Sequence, residues 1–205
     1  YIENPDLNFH EPYASSASEL VAEMLQYIVD QSDILRYEAE ALLSGIVLDT
    51  KSFSVRTGSR TFDAAAFLRR AGADTSEVKK LLQSDFASAM ERYGIVTSAH
   101  EYRDDIAIAY ASTPVDRVIV AQAADELLNI SGITASFVVS AASGAVNISG
   151  RSIGTVDVQQ ILERLGGGGN HSTAGAQLRG VTVEATLEKL KTAIDNYLEY
   201  NRENQ

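Results

Sequence analysis

The sequence predicts an α/β protein of two lobes, a mainly helical first part and a second part built on a mixed sheet. Three observations predict it. Apolar residues recur at helical intervals as far as about residue 93, and short apolar runs bounded by turn residues begin beyond Gly94. Between the two patterns lies the polar stretch Thr97 to Asp105, read as a linker over 97–105 that joins a lobe over 1–96 to a lobe over 106–205.

Each element has its own signal. Tyr1 to Tyr13 is polar and broken by Pro5 and Pro12, so it is expected to be irregular. Ser16 and Glu19 have capping-box spacing ahead of Leu20, Met24 and Ile28, which recur as on one helix face. Leu35, Ala39, Leu42, Leu43, Ile46 and Val47 form a second such stripe, running up to Asp49. Thr61 precedes a third helical run from Phe62 to Leu68 that Gly72 is placed to stop. Asp74 and Glu77 announce a fourth, with Val78, Leu81 and Leu82. Further on, Ile106–Tyr110, Ala135–Ser140, Ala145–Ser149 and Gln177–Arg179 read as strands. Helices are expected over Val118–Leu128, Val156–Leu165 and Val183–Tyr197. Ala142-Ser143-Gly144 is a hairpin turn by its composition.

Composition narrows the function classes. The chain has 205 residues, 45% of them hydrophobic, which is ordinary for a soluble globular protein. It has no cysteine, which excludes disulfides, thiolate metal sites and cysteine nucleophiles and fits a reducing compartment. A net charge of -11 opposes non-specific binding to a nucleic-acid backbone, so no duplex partner is expected. A small phosphorylated ligand needs only a local positive pocket. No apolar run is long enough to span a bilayer, and no secretory leader is evident. The chain opens on Tyr1 rather than Met, which suggests a piece of a longer protein.

Three places can carry chemistry. Gly166-Gly167-Gly168-Gly169-Asn170-His171 reads either as a phosphate nest, where bare backbone N–H groups face an anion, or as a structural tight turn. Ser149-Gly150-Arg151-Ser152 stands at an expected strand end, where α/β domains often face a ligand crevice. Arginine there offers a bidentate fork to phosphate and the serines offer hydroxyl donors; a surface arginine in a loop is the plainer alternative. Asp49 ends an apolar helix, where its charge opposes the helix dipole unless a cation offsets it. It is therefore a metal-ligand candidate or a helix-ending turn residue. No H-x-D, D-x-D, H-E-x-x-H or D-H-H stands in the chain to join it. His10 and His100 fall in polar stretches and are expected to be solvated.

Several segments together resemble a known family. Glu11 to Leu20, Leu43 to Phe53 with its Asp49-Thr50 pair, and Arg56 to Phe62 resemble the second half of a DHH phosphoesterase domain. Ser149-Gly150-Arg151-Ser152 and the glycine run resemble the DHH-associated substrate domain that follows it. The branch most similar in wording is that of the membrane-anchored cyclic di-AMP phosphodiesterases of Gram-positive bacteria. The resemblance covers nearly the whole chain, in order.

That resemblance implies a metal-dependent hydrolysis of cyclic di-AMP to pApA, with two manganese ions activating water for in-line attack. By position, Asp49 matches the last metal-ligand aspartate. Ser149, Arg151, Ser152, Gly167, Gly168 and Gly169 match the element that grips the nucleotide phosphate. The family places a histidine directly after the glycines; here Asn170 stands there and His171 follows. Earlier metal motifs of the family are expected upstream, so the chain alone is expected not to hydrolyse the substrate. The alternatives are a nano-RNase or pAp phosphatase of the same superfamily, or a non-catalytic nucleotide-binding module. The implied partner is a cyclic dinucleotide or a short oligonucleotide, with homodimerisation left open. The implied setting is the cytoplasmic face, with the parent anchored in the membrane and this segment not touching it.

Overall fold

The computed structural model describes residues 5–103 and 105–203; Tyr1 to Asn4 of the expected irregular opening and Asp104 of the expected linker lie outside the described residues. The chain divides into two compact units, Tyr1–Gln83 and Ser84–Gln205. Among the described residues no helix is long and apolar enough to cross a membrane.

The first unit is helical: α1 (Ala17–Ile28), α2 (Arg36–Asp49), α3 (Ser59–Arg70) and α4 (Thr75–Leu81). Ala22, Ala39, Leu43, Ile46, Ala64, Phe67, Leu68 and Val78 form its core. The expected stripes face inward only in part: Ala39, Leu43, Ile46, Leu68 and Val78 are buried, Leu20 and Met24 are half-buried, and Ile28, Leu35, Phe62 and Leu81 are exposed, so α1 packs through Ala22 instead. Ser16 caps α1 by accepting from the Glu19 N–H at 3.1 Å. The return half of the box is shifted by one residue. The Glu19 carboxylate accepts from the Ser15 N–H at 3.3 Å and from the Ser15 hydroxyl, which satisfies a side chain only 2% exposed. Thr61 lies inside α3 rather than ahead of it, and its hydroxyl accepts from the Gly58 N–H at 3.1 Å. Gly72, at φ +103, ends that helix. Asp74 caps α4 through the Ser76 N–H at 2.8 Å, while Glu77 pairs with Lys80 instead of closing the box.

The second unit is a six-stranded mixed sheet with four helices. In chain order these are α5 (Phe86–Thr97), β1 (His100–Tyr102), β2 (Ile106–Ala111), α6 (Arg117–Leu127), β3 (Ala135–Ala142), β4 (Ala145–Ser152), α7 (Val158–Glu163), β5 (Gly168–Asn170), β6 (Thr173–Arg179) and α8 (Val183–Glu203). The strand order is β1-β2-β3-β4-β6-β5, with β2 and β3 parallel and every other pair antiparallel. The division between units falls at Gln83, earlier than the sequence pattern places it. Helix α5 runs through Gly94 and buries Ile95 with Ala107, Ala109 and the apolar face of α6. The expected linker holds β1, a polar edge strand in register with β2. Three residues are too few to show alternation: His100 and Glu101 are exposed, and Tyr102 alone packs against the core.

The sheet is covered unequally. On one face α7 and α8 pack against Phe137, Val139, Val146, Ile148, Ala174 and Ala176. On the other, α6 lies over Ala107, Ala109 and Val138. Strand β3 is buried on both faces through its first six residues, whereas β4 alternates half-buried and buried throughout. So α6 covers the β2–β3 part of its face, reaches β4 at Arg151, and leaves the β6–β5 part and the Asn147–Ser149 stretch of β4 less covered. Polar residues line that opening.

Candidate functional site: a polar cleft beside α6

Strand register builds the site. Paired residues of neighbouring strands share a face, and side chains alternate with period two. Three rows of the open face follow. Ser140, Asn147 and Gln177 form one, Val138, Ser149, Gly175 and Gly168 the next, and Ser136, Arg151, Thr173 and Asn170 the third. A cleft of about 490 Å³ lies over the first two rows, lined by Ser140, Asn147, Ser149, Gly166, Gly167, Gly168, Gly175 and Gln177, with Arg117 and Val120 of α6 beside them. That volume suits a small ligand. Although the chain is acidic, the charged residue among those lining the cleft is a cation, Arg117. The local balance therefore favours an anion.

The glycine run divides into parts with different reasons. Gly166, at φ +78, closes α7: its N–H bonds to the Glu163 carbonyl at 3.0 Å, and the next N–H, of Gly167, bonds back to Leu162 at 2.9 Å. This is a Schellman closure, which needs a left-handed residue. A Cβ on Gly167 would lie 2.3 Å from the Gly175 carbonyl oxygen, and one on Gly169 2.3 Å from that of Thr173. Both glycines are required for β5 to lie against β6. Gly166 and Gly168 both have open space where a side chain would go, but Gly166 is fixed by its left-handed φ, which leaves Gly168 as the one of the four with neither constraint, and it lines the cleft. The tight-turn reading thus accounts for three of the four glycines, and the fourth presents bare backbone to the cleft.

The remaining sequence candidates separate. Strand β4 ends at Ser152, so Ser149 to Ser152 are its last four residues, three residues further than the strand expected over Ala145–Ser149. Alternation puts Ser149 and Arg151 on the open face and turns Ser152 to the core side, where it is 6% exposed and accepts from the Gly154 N–H at 3.2 Å. Arg151 is not a loop arginine. Its side chain is 13% exposed, its Nε meets Asp125 of α6 at 3.3 Å, and its Nη1 donates to Ser149 Oγ at 3.1 Å and to the Gly150 carbonyl at 2.9 Å. It braces α6 against the strand and orients the Ser149 hydroxyl. Asn170 is exposed at the β5–β6 turn, where its Oδ1 accepts from the Thr173 N–H at 2.9 Å and from the N–H and hydroxyl of Ser172. His171, in the same turn, is exposed, and its carbonyl accepts from Val158 N–H at 3.1 Å.

Asp49, in the first unit, is exposed at the end of α2. The segment after it is unusual: Lys51, Ser52, Phe53 and Arg56 all have left-handed φ, between 47° and 65°. Such conformations cost roughly 1–2 kcal/mol per residue. Thr50 holds them, being 0% exposed, donating to the Ile46 carbonyl at 2.7 Å and accepting from the Phe53 N–H at 3.0 Å. Phe53 also stacks on Phe62 with centroids 5.4 Å apart. Among the described residues no group of three His, Asp or Glu side chains is placed to hold a metal ion. Asp49 is a single candidate donor, and a pair of divalent ions requires several. The described residues do not fit a dinuclear metal centre.

Arg117, Ser140, Asn147 and Gln177 escaped sequence reading. Asn147 was within reach, because Val146 and Ile148 around it are apolar and the alternation continues to Ser149 and Arg151. The other three depend on strand pairing and on where α6 lies.

Comparison with known proteins gives this arrangement a setting. The profile of the DHHA1 domain matches residues 104–200. The chain is 50% identical over 202 residues to the cyclic-di-AMP phosphodiesterase GdpP of Geobacillus thermodenitrificans, a match covering 97% of this chain and 31% of that protein. It is 46% identical over 200 residues to the cyclic-di-AMP phosphodiesterase PdeA of Listeria monocytogenes, covering 96% and 30%. The chain therefore spans about 31% of the length of the curated relatives it matches. Among solved structures, an exopolyphosphatase-related protein from Bacteroides fragilis superposes with a TM-score of 0.83 at 19% identity, covering 96% of this chain and 62% of that one.

Proposed function

Residues 104–200 belong to the DHHA1 domain family, and on that premise we propose that this chain is the nucleotide-cradling part of a phosphodiesterase that opens cyclic di-AMP to pApA. The observation that carries the proposal is a polar cleft with a cation at its rim, in a chain half of whose residues match a cyclic-di-AMP phosphodiesterase along 97% of its length. Arg117 supplies positive charge, Gly168 lets a phosphate approach the backbone, and the Ser149 hydroxyl, fixed by Arg151, donates to it. Arg151 acts through Ser149 and the α6 brace as a positioning residue.

Metal chemistry belongs, in this reading, to the longer protein. Asp49 is its one proposed ligand here, ahead of the left-handed segment that follows it. Two divalent ions, manganese by resemblance, would supply the activated water and the charge stabilisation. The chain by itself acts as a binder. A membrane-anchored parent holding this part at the cytoplasmic face belongs to the same proposal.

Calorimetry with pApA tests the cradle. Binding that survives EDTA and weakens on Arg151→Ala supports it; no binding at all defeats it. A hydrolysis assay tests the division of labour. The 205-residue chain with manganese is expected to leave cyclic di-AMP intact, and substantial turnover refutes the assignment. In the longer protein, Asp49→Ala should abolish turnover and leave the fold unchanged, so near-normal activity of that variant removes the metal-ligand role.

A further inference from the structure

Within the cleft, Gln177 Nε2 donates to Asn147 Oδ1 at 2.9 Å across the β4–β6 pairing. We infer that this amide pair is a base-reading subsite, one that takes the 6-aminopurine edge of an adenine nucleotide while the neighbouring glycine and serine rows hold its phosphate. The inference rests on the nucleotide-cradle reading above and adds to it the residues that would recognise the base.

Each amide brings a carbonyl and an NH2 group, and their mutual bond uses one of each. What remains wholly unbonded is one carbonyl, Gln177 Oε1, and one NH2 group, Asn147 Nδ2; the two bonded groups keep one N–H and one lone pair between them. Turning both amides over leaves the same inventory, so the conclusion does not depend on which end of either amide is oxygen. The pair thus offers one unbonded acceptor group and one unbonded donor group in the same row, held in place by their own hydrogen bond and by strand pairing. Adenine meets these groups with the N6 donor and the adjacent N7 acceptor, the same donor and acceptor atoms that a single asparagine or glutamine amide reads elsewhere, here shared between two amides; the N7 and O6 of guanine are both acceptors and leave the Gln177 carbonyl unmet. Pre-orientation reduces the ordering cost of binding.

A second feature of the same row points to a polar ligand. Ser140, the register partner of Asn147, is 0% exposed, lines the cleft, and its Oγ has no hydrogen-bond partner. A buried hydroxyl without a partner is costly, and a ligand atom seated in this row relieves that cost. Chemistry and placement agree on which ligand group belongs where. The phosphate-facing elements, Gly168 and Ser149, occupy the neighbouring row of the same face, one strand-pair step away.

The test is calorimetric and uses the 205-residue chain with two ligands: pApA, and its analogue bearing unsubstituted purine, which lacks only the two 6-amino groups. The unsubstituted chain is expected to bind pApA at least tenfold more tightly than the analogue. The double variant Asn147→Val/Gln177→Val, with valine chosen to suit strands, is expected to bind both alike, with pApA weakened at least tenfold. Far-UV circular dichroism and the melting temperature establish that the variant is folded. The ligand comparison on the unsubstituted chain stands even if it is not. Equal binding of the two ligands by the unsubstituted chain, or an adenine preference that persists in the double variant, overturns this inference and leaves the cradle standing. Failure of the unsubstituted chain to bind pApA overturns the cradle, and this inference with it.

Discussion

Two serines on one face of β3 should respond to the same substitution with opposite signs. Ser136 and Ser140 are each 0% exposed and lie four residues apart, both on the face beneath α6. The Ser136 hydroxyl donates to the Ala124 carbonyl at 2.6 Å, while the Ser140 hydroxyl has no partner. Ser136→Ala removes a buried hydrogen bond worth about 1 kcal/mol net. Ser140→Ala removes a hydroxyl whose unpaired burial costs roughly 1–3 kcal/mol, offset in part by the small void left behind, so a net gain of about 1 kcal/mol is expected. For a protein of this size each change corresponds to roughly 2–4 °C in melting temperature. Differential scanning calorimetry reads both shifts directly; in a two-unit chain the transition belonging to the sheet should move. The Ser140→Ala advantage should shrink under saturating pApA, because a ligand that partners the hydroxyl cancels the penalty. If both variants shift in the same direction, the hydrogen-bond accounting of this face is wrong.

Three further expectations follow from the geometry. Gly167→Ala should destabilise the fold by about 1–3 kcal/mol because its methyl group meets the Gly175 carbonyl, whereas Gly168→Ala has open space and should fold normally; matched urea titrations distinguish them. Arg151→Ala should weaken pApA binding roughly tenfold by freeing Ser149, and Arg151→Lys should rescue little, since an ammonium cannot span Ser149, Gly150 and Asp125 as the guanidinium does. The Arg103 guanidinium, at 2.9 and 3.0 Å, is the first cause holding the Asp195 carboxyl below its ordinary range, with the Tyr102 hydroxyl assisting. A depressed carboxyl pKa contributes stability that is fully present above the unfolded value near about 3.9 and is lost as pH falls through the folded value. Asp195→Asn should accordingly flatten the acid side of the stability-versus-pH curve, and an unchanged acid limb would remove the pair from that account.

What the sequence determined alone was whatever depends on near neighbours along the chain. Helical spacing of Leu35 to Val47 placed α2, the side-chain oxygens of Ser16 and Asp74 marked helix starts, and Gly72 marked a stop. The glycine run and Ser149 to Arg151 were recognisable as candidates on composition, and the resemblance of the chain to DHH-associated domains was legible in contiguous segments. Strand β1 and the true extent of β4 and β6 were not, since edge positions and half-covered faces impose little pattern on the residues that occupy them.

Tertiary structure decided the rest. Register turned Ser152 to the core and kept Ser149 and Arg151 on the open face, a distinction that a shift of one residue would reverse. Pairing of β4 with β6 brought Asn147 to Gln177, a sequence separation of 30. The half-coverage of the sheet by α6 turned a row of polar residues into a cleft and left Ser140 buried without a partner. Local propensity fixes elements because its interactions span a few residues. Which strands become neighbours depends on burying the apolar faces of the whole unit together, and no short stretch of residues encodes that outcome.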